Sequence, residues 1–436
     1  MNPRTRLSSG NGLAAASVPT AALPGQRTHK LKSQPAPKAE LPPSGSADGS
    51  VLDSGLEALI KFFSSLKLTV VCLTLGMILV FWGTLAQVDL GLYKAQNEFF
   101  RSFVIYWGPK GENWRVPIFP GGYLVGGLLL INLVTAHFKR FRLSREKIGI
   151  WMVHVGLILL LLGQLLTDIL SRESMLHLRE GQAKNYSEST RQCELAVIDT
   201  TDPDTDKVVA FPQTLLTPNK EIRNAEMPFA LRVKQFFPNS TLDNRAPEAT
   251  APPPANQGIG PRVVVKGLPR VTDMDHRDVP SAVLEVLTPQ GASLGTWLVS
   301  EFVEQPQSFT WNQRSYQMVL RLQRFYKPFS IRLLQFRHDI YPGTDIPKNF
   351  SSRVQLQNPA TGENREVLIY MNNPLRYAGE TFYQADWDRD DHGSILQVVH
   401  NPSWLTPYFS CVLVGLGLVV QFATHLLGFT FKRRTA

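Results

Sequence analysis

His154 lies inside an uninterrupted apolar run, IGIWMVHVGLILLLLGQLL, which is long enough to cross a lipid bilayer at about 20 residues per crossing. An ionisable side chain at that depth is costly, so it is a candidate functional group by default. An imidazole there can ligate haem iron or another metal, relay a proton, or hydrogen-bond to a neighbouring helix. The rest of the sequence has to decide among these chemistries.

Small residues surround this histidine at a regular spacing. Gly149, Gly156 and Gly163 recur every seven residues, which is typical of a face on which another helix packs closely. His154 is two residues from Gly156, about 200° around an α-helix, so its imidazole is predicted to point away from the glycine face. The pattern leaves two interpretations equally open, a hydrogen-bonded structural histidine and a functional one.

Two further histidines lie near membrane edges. His425 and His154 are each seven residues from the lysine that ends their apolar run, which predicts a matched depth of about 10 Å on one side. Two imidazoles at matched depth could both face one haem iron, although a structural role is the favoured interpretation for His425. His137 lies beside Lys139, and an interfacial polar role is favoured for it.

The composition limits the class of protein. The chain has 436 residues, a formal net charge of +9 and a mean hydropathy of -0.09. This is too polar for a polytopic transporter and fits a few membrane spans with a large water-soluble part. The sequence predicts an integral membrane protein with three N-terminal and one C-terminal transmembrane helices. The four apolar stretches are 68–86, 123–138, Ile148–Leu170 and 404–429.

The basic residues predict the topology. They cluster before the first span, in the loop KRFRLSREK between the second and third spans, and in the C-terminal FKRRTA. With four spans these clusters share one side, and short basic loops stay cytoplasmic. Both termini are therefore predicted in the cytoplasm of a multi-pass protein, with residues 171–403 outside. Because the clusters lie at membrane edges, the expected partner of this charge is lipid and no nucleic acid is expected.

The chain divides into four predicted regions. The first is rich in Pro, Ala, Ser and Gly and is predicted to be disordered, although a transit peptide has a similar composition. The sequence LYKAQNEFFRSFVIYW predicts a helix with an aromatic face, lying either on the membrane surface or on the external domain. The regions are a cytoplasmic tail 1–60, a membrane domain 61–170 with an external segment 89–120, an external domain 171–403, and a last span with its basic end, 404–436.

The external region reads as mostly strand. Three segments each predict a strand, a turn and a second strand, with Asn, Pro and Gly between the strands. They are CELAVIDTTDPDTDKVVAF, SAVLEVLTPQGASLGTWLV and SRVQLQNPATGENREVLIYM. Many short strands with such turns predict a sandwich or a barrel. The stretch APEATAPPPANQGIGPR is predicted to be a flexible loop inserted in this domain.

The cysteines exclude two classes of protein. Cys72 and Cys411 fall inside spans, and Cys193 is the single cysteine of the external region, so no disulfide framework is expected. The sequence has no C-x-x-C-H or C-x-x-C motif, so the chain is neither a c-type cytochrome nor a dithiol carrier.

The external histidines are scattered, and the acidic run DWDRDDHG is interpreted as a solvated turn, since it lacks EF-hand spacing. No catalytic site is predicted.

Four segments resemble the ResB-like proteins of cytochrome c biogenesis, the System II type. They are WGTLAQ at the end of the first span, the third span followed by LREGQ, FSIRLLQFRHDIYPGTDIPKNFSSRVQL, and IYMNNPLRYAGETFYQADWD. The likeness covers most of the chain from about residue 60. The N-terminal tail and the Pro-rich insert depart from a typical member and leave the interpretation of the spans unchanged.

The resemblance implies a role and a cofactor. Family members work with a CcsA-type (ResC-type) membrane partner, moving haem b across the bacterial inner membrane for attachment to apocytochrome c. It implies that His154 is an axial ligand of haem in transit and that the partner supplies the second ligand; His425 matches no family motif. The chain would then be a non-catalytic subunit of a cytochrome c synthetase complex. The alternative is a membrane-anchored scaffold whose β domain docks apocytochrome or other clients without binding haem.

Overall fold

The N-terminal part of the chain differs from the prediction. The computed structural model describes residues 47–109, 114–140, 144, 147–246, 252–273, 276–344 and 346–435. The chain divides into two compact units, Met1–Gly55 and Leu56–Ala436, and every site discussed below lies in the second. The tail 1–46 lies outside the described residues, but 47–63 is helical rather than disordered. Its apolar Leu52, Leu56 and Leu59 recur at the three- and four-residue spacing of a helix.

Four of the α-helices are long and apolar enough to cross a membrane, and they coincide with the four predicted spans. The predicted arrangement of three N-terminal spans and one C-terminal span is therefore confirmed. The α-helices of the described residues are α1 (Ala47–Phe63), α2 (Leu66–Leu90), α3 (Leu92–Ala95), α4 (Gly122–Arg140), α5 (Ile148–Leu170) and α6 (Thr406–Thr435), and the four spans are α2, α4, α5 and α6.

A buried amide joins the first two spans. Asn132 of α4 accepts a hydrogen bond from Thr69 of α2 at 2.6 Å and donates one to the carbonyl of Phe63 at 2.6 Å. Its side chain is buried, so water does not compete for these bonds. Hydrogen bonds of this kind stabilise helix pairs in apolar surroundings. Asn132 therefore fixes α4 against both α2 and the end of α1.

The three regularly spaced glycines of α5 lie directly against α6. A Cβ atom added to any of them would come within 2.5–2.7 Å of an atom of α6. The predicted close helix packing is confirmed, and the helix that packs there is the chain's own C-terminal span. The facing residues of α6 are Gln421 for Gly149, Val414 for Gly156 and Thr406 for Gly163.

The segment between α2 and α4 is not one amphipathic helix. After α3 the chain makes a π-helical turn, Gln96–Phe100, and then a hairpin of β1 (Val104–Trp107) and β2 (Val116–Pro120). Phe99 turns inward onto Trp82 of α2, with ring centroids 5.5 Å apart. The helix prediction is wrong beyond residue 100, because β-branched residues and the pairing with β2 favour a strand there.

The β domain, residues 171–403, is built from antiparallel strands, which confirms the mostly-β prediction. The three predicted strand–turn–strand units are present as β4–β5, β10–β11 and β14–β15. The strands described are β3 (Arg172–Arg179), β4 (Ala183–Asp199), β5 (Lys207–Pro212), β6 (Glu221–Ile222), β7 (Ala230–Phe237), β8 (Ser240–Asn244), β9 (Val263–Gly267), β10 (Ser281–Leu287), β11 (Ser293–Ser300), β12 (Gln307–Trp311), β13 (Arg314–Ile340), β14 (Pro347–Asn358), β15 (Glu363–Tyr370), β16 (Leu375–Tyr377), β17 (Glu380–Trp387) and β18 (Gly393–His400).

The longest strand, β13, contributes to both of the large hydrophobic cores of the β domain. The large sheet has the order β15-β14-β13-β4-β3-β18-β17-β16, with β5 on β4 and β12 on β13, and a second sheet has the order β11-β10-β7-β6. Strand β13, of 27 residues, contributes to both cores, and β4, of 17 residues, contributes to the first. Both strands are much longer than the short strands predicted. The first core includes Leu195, Leu284 and Met318, and the second includes Leu333, Phe382 and Val398.

The β domain continues directly from the membrane helices. Only Ser171 separates α5 from β3, and β18 leads into α6. Strands β3 and β18 are paired neighbours, with Arg172 opposite His400 at the membrane end. The helix pair α5–α6 therefore passes into the strand pair β3–β18, which couples the third span mechanically to the β domain.

The Pro-rich insert is partly anchored, contrary to the prediction of a flexible loop. Its first residues, 247–251, lie outside the described residues. Further on, the Gln257 amide donates to the carbonyl of Thr296 at 2.9 Å, and the Asn256 side chain accepts the Thr296 amide at 2.7 Å. Ala255 is buried beside them. These two hydrogen bonds to the backbone of Thr296 hold residues 255–257 against β11.

Candidate functional site: an imidazole pair inside the membrane helices

The membrane helices place His154 on the side of α5 that faces α4. The glycine face of α5 is filled by α6, and the imidazole lies on the other side, as predicted from the helical spacing. It is partly buried. One face of α5 therefore packs against α6, and the opposite face presents the ionisable imidazole.

The orientation of the imidazole is fixed by its own helix. His154 Nδ1 lies 2.8 Å from the carbonyl oxygen of Ile150, one turn earlier. A carbonyl only accepts, so Nδ1 carries the proton and the lone pair of the neutral ring lies on Nε2. A ring nitrogen that donates to a backbone carbonyl while the other presents its lone pair is the usual arrangement of a metal-ligating histidine.

His137 of α4 lies next to His154. The two ring centroids are 6.4 Å apart, and the ring planes are inclined by 31°. The His137 ring also contacts Trp151, at 5.3 Å, and only 6% of the residue is exposed. The interfacial role favoured for His137 does not describe this position, because the side chain turns into the helix pair instead of toward the membrane surface.

A signal for this pairing was present in the sequence. His137 lies three residues before the end of α4, and His154 lies six residues after the start of α5, on either side of a short basic loop. A short connection makes consecutive helices antiparallel neighbours, so side chains within two turns of it on the two helices can meet. The pairing depends on both helices together and not on either histidine alone.

His425 does not share this site. It is exposed on α6, the helix that covers the opposite face of α5. The matched depth predicted for it does not hold either, because Gly417 of α6 lies against Met152 and Val153. His425 is eight residues further along, about 12 Å at about 1.5 Å per residue, which places it beyond the first residue of α5.

The other end of α5 is held by charge and aromatic packing. Asp168 pairs with Arg101 at 2.8 Å and accepts a hydrogen bond from the Tyr123 hydroxyl. Trp82, within the family-like segment WGTLAQ, packs edge-on against both Phe99 and Phe119. These contacts tie α2, α4 and α5 together where the chain enters the β domain.

Histidines in and near the acidic run DWDRDDHG form hydrogen bonds with carboxylates. His177 lies 2.9 Å from Asp388, His338 lies 3.1 Å from Asp391, and His392 lies 3.4 Å from Glu180. These pairs join the turn before β18 to neighbouring strands. Within the described residues, no group of three or more His, Cys, Asp or Glu side chains is placed to hold a metal ion.

Cys193 is a core residue. It is 2% exposed, and its sulfur lies 3.7 Å from Glu301. Burial, followed by the Glu301 carboxylate, raises the pKa of the thiol well above its usual range. Because the thiolate is the reactive form, this cysteine is chemically inert in the folded domain.

Comparison with known proteins confirms the resemblance inferred from the sequence. Residues 295–395 match the ResB-like family, a region that runs from β11 to β18. The chain is 25% identical over 298 residues to "Protein NrfI" of Wolinella succinogenes, covering 67% of this chain and 29% of NrfI.

Two shorter matches point the same way. The chain is 36% identical over 76 residues to "Cytochrome c biogenesis protein Ccs1" of Pyropia yezoensis, which is 16% of this chain and 17% of that protein. It is 40% identical over 58 residues to "Cytochrome c biogenesis protein CcsB" of Prochlorococcus marinus, 13% of each chain. The chain thus spans less than a third of the length of each of these relatives.

Proposed function

We propose that this chain, which is similar to ResB-like and CcsB proteins, acts in cytochrome c biogenesis as one half of a haem-handling complex. The proposed partner is a CcsA-type membrane protein, and haem b is the cargo, moved across the bacterial inner membrane to apocytochrome c. The observation that carries the proposal is His154, an imidazole on a membrane helix whose Nδ1 is held by the Ile150 carbonyl.

The protonation state of His154 suits a ligand. The neutral ring with its proton on Nδ1 presents Nε2, the nitrogen with which histidines hold haem iron, and a hydrogen bond on the other nitrogen raises ligand basicity. The neutral form is also the less costly one within a bilayer. His154 is therefore the residue that we assign to haem in transit.

The covalent step is assigned elsewhere. The thiols that bond to haem belong to apocytochrome c, so this chain need not supply one. Its likeness to cytochrome c biogenesis proteins is the ground on which we assign it the role of a non-catalytic subunit of the synthetase complex. Its β domain, continuous with α5, is suited to report haem occupancy to partners on that side of the membrane.

A scaffold function is the second candidate. It is favoured by one observation, that the family match at 295–395 lies wholly in the β domain and includes none of the spans. In that case the β domain would dock apocytochrome, and the membrane helices would serve as an anchor.

An absorption spectrum distinguishes the two functions. The chain is purified alone and with its CcsA-type partner, as wild type and as His154→Ala. The haem-handling function predicts a Soret band in at least one wild-type preparation that His154→Ala removes. Preparations that co-purify with the partner but lack that band would favour the scaffold.

The orientation follows from the positive-inside rule. We expect both termini in the cytoplasm and the β domain outside. A reporter enzyme active only outside the cytoplasm should be active when fused after Lys184 and inactive when fused after Ala436. Equal activity of the two fusions would contradict the four-span topology.

A further inference from the structure

The hairpin of β1 and β2 presents a set of exposed apolar and aromatic side chains beside the spans. The aromatic ones are each more than half exposed, and the ring centroids of Trp107 and Trp114 lie 6.3 Å apart. Contiguous exposed apolar surface of this kind marks a contact with a membrane or with another protein. The exposed side chains are Phe103, Tyr106, Trp107, Trp114, Val116 and Ile118.

Contacts between α2 and α4 give the level of this hairpin relative to the spans. A Cβ atom at Gly76 of α2 would lie 4.0 Å from Val125 of α4, so these two residues lie at one level. From that level α2 continues for 14 residues to Leu90, about 21 Å, whereas α4 begins only three residues away, at Gly122, about 4.5 Å. α2 therefore extends about 16 Å further toward the β domain than α4 does.

The hairpin and the π-helical turn before it occupy this level beside α2. Ile105 and Phe119, on the inward face of the hairpin, pack with Trp82 of α2. A Cβ atom at Gly83 would lie 2.7 Å from the ring of Phe100 in the turn. Because Trp82 belongs to the apolar stretch of α2 that predicts the first crossing, the base of the hairpin lies at the level of the bilayer.

We infer that the β1–β2 hairpin lies in the interfacial region of the bilayer, with Trp107 and Trp114 against phospholipid. At the same level α2 exposes the apolar Phe81, Leu85 and Val88, as a helix that faces lipid does. Trp and Tyr are enriched where a membrane meets water, because their rings are apolar and their N–H and O–H groups are polar. The inference does not depend on the haem-handling function.

The backbone limits how deep the hairpin can lie. In the part of the chain that the structure describes, β1 and β2 form a sheet of two strands, so their outward N–H and C=O groups have no strand partner. Such groups are too costly in the hydrocarbon core, but water and headgroups satisfy them at the interface. Arg115, beside Trp114, is exposed and can reach lipid phosphates. The headgroup layer, which supplies water, phosphate and the ends of apolar chains together, therefore fits this hairpin.

The position of the hairpin is transmitted to the β domain through α3. The Lys94 amide donates to the carbonyl of Thr272 at 3.3 Å, and the Arg191 guanidinium lies 4.0 Å from the centre of the Tyr93 ring. α3 follows directly on α2, against which the hairpin packs. A hairpin held in the interface therefore fixes the height of the β domain above the bilayer.

The first test is fluorescence quenching of the full-length chain in phosphatidylcholine–phosphatidylglycerol vesicles, alone and with its CcsA-type partner. Lipids brominated near the headgroup should quench the wild type, and the double variant Trp107→Phe, Trp114→Phe should lose much of that quenching. Lipids brominated near the chain ends should quench both proteins equally, because the indoles are expected within about 5–10 Å of the headgroup boundary. Phe keeps the aromatic packing, and Trp311→Phe, in β12, is the control expected to change nothing.

A spin label gives an independent measurement. It is attached at Val116→Cys in a Cys411→Ser chain, since the other two cysteines, Cys72 and Cys193, are buried and do not react. Oxygen, which concentrates in lipid, should relax this label more strongly than a water-soluble nickel complex does. A label at Val208→Cys, on β5 of the β domain, should show the reverse order.

Three results would overturn the inference. The first is a nickel accessibility at position 116 equal to that at position 208, and the second is unchanged quenching by the headgroup-brominated lipids in the double variant. The third is a label at position 116 that neither reagent reaches, which means that protein covers the hairpin. That protein is a second copy if the chain alone shows the result, and the partner if only the complex does.

Discussion

A His154→Ala variant is expected to accumulate in the membrane at the wild-type level and to yield no mature cytochrome c. Alanine removes the Nε2 lone pair, and it is well tolerated in an apolar helix. The hydrogen bond of Nδ1 goes to the Ile150 carbonyl within the same helix, so losing this bond does not separate two helices. Membrane protein level and haem-stained cytochrome c are measured in the same cells.

A structural histidine would behave differently. If His154 mainly joined two helices, its removal would leave a buried polar partner unsatisfied at a cost of about 1–3 kcal/mol, and protein level would fall with activity. Imidazole added to the medium should partly restore maturation if a ligand alone is missing. Glu98→Gln, a substitution at a half-exposed ion pair with Lys94, is the control expected to have no effect.

Normal cytochrome c in the His154→Ala strain would contradict the ligand assignment. A loss that imidazole does not relieve, together with lower protein level, would assign the residue to packing. The two readouts therefore separate chemistry from stability in a single set of strains.

The spans, the glycine face and the strand–turn–strand units were predictable, because each depends only on the residues of one helix or one hairpin. The spans follow from the length of a bilayer crossing, and the glycine face of α5 follows from the spacing of Gly149, Gly156 and Gly163. The strand–turn–strand units follow from alternating apolar residues between turn residues. In each case the spacing of residues within one helix or one hairpin is enough to predict the structure.

The errors arose where two elements meet. The distance from the nearest lysine does not give the depth of His425, because α6 extends beyond the start of α5. The position of His137 beside Lys139 predicts an edge residue, but its ring contacts Trp151 and His154 of α5, which the sequence near His137 does not show. The hairpin at Val104–Trp107 forms only because Val116–Pro120 pairs with it.

The packing of α5 on α6 leads to the second large expected effect. Replacing Gly149 with Leu should lower protein level sharply and reduce thermal stability in detergent. The Cβ atom alone would lie 2.7 Å from both the Gln421 nitrogen and the Gly417 carbonyl oxygen. Both are backbone atoms, so no side chain can move aside. The helices must separate, at a cost at or above the upper end of the usual 1–3 kcal/mol for overpacking.

Two other glycines make this prediction graded. At Gly156 the new Cβ would lie 2.5 Å from Val414 Cγ2 and 3.1 Å from the Ser410 carbonyl. The valine can change rotamer but the carbonyl cannot move freely, so Gly156→Leu should be less severe than Gly149→Leu. Gly415→Leu, on α6, is the matched control, because a Cβ atom there would meet nothing within 4 Å.

The expected order of melting temperatures in detergent is therefore Gly415→Leu above Gly156→Leu above Gly149→Leu, with the first close to the wild type. Equal values for Gly149→Leu and Gly415→Leu would show that α5 and α6 do not pack through this face. Because His154 lies on the other side of α5, Gly156→Leu protein that does fold should still bind haem with an unchanged spectrum. A loss of protein without a spectral change separates the packing face of α5 from its ligand face, and a spectral change would show that the two faces are coupled.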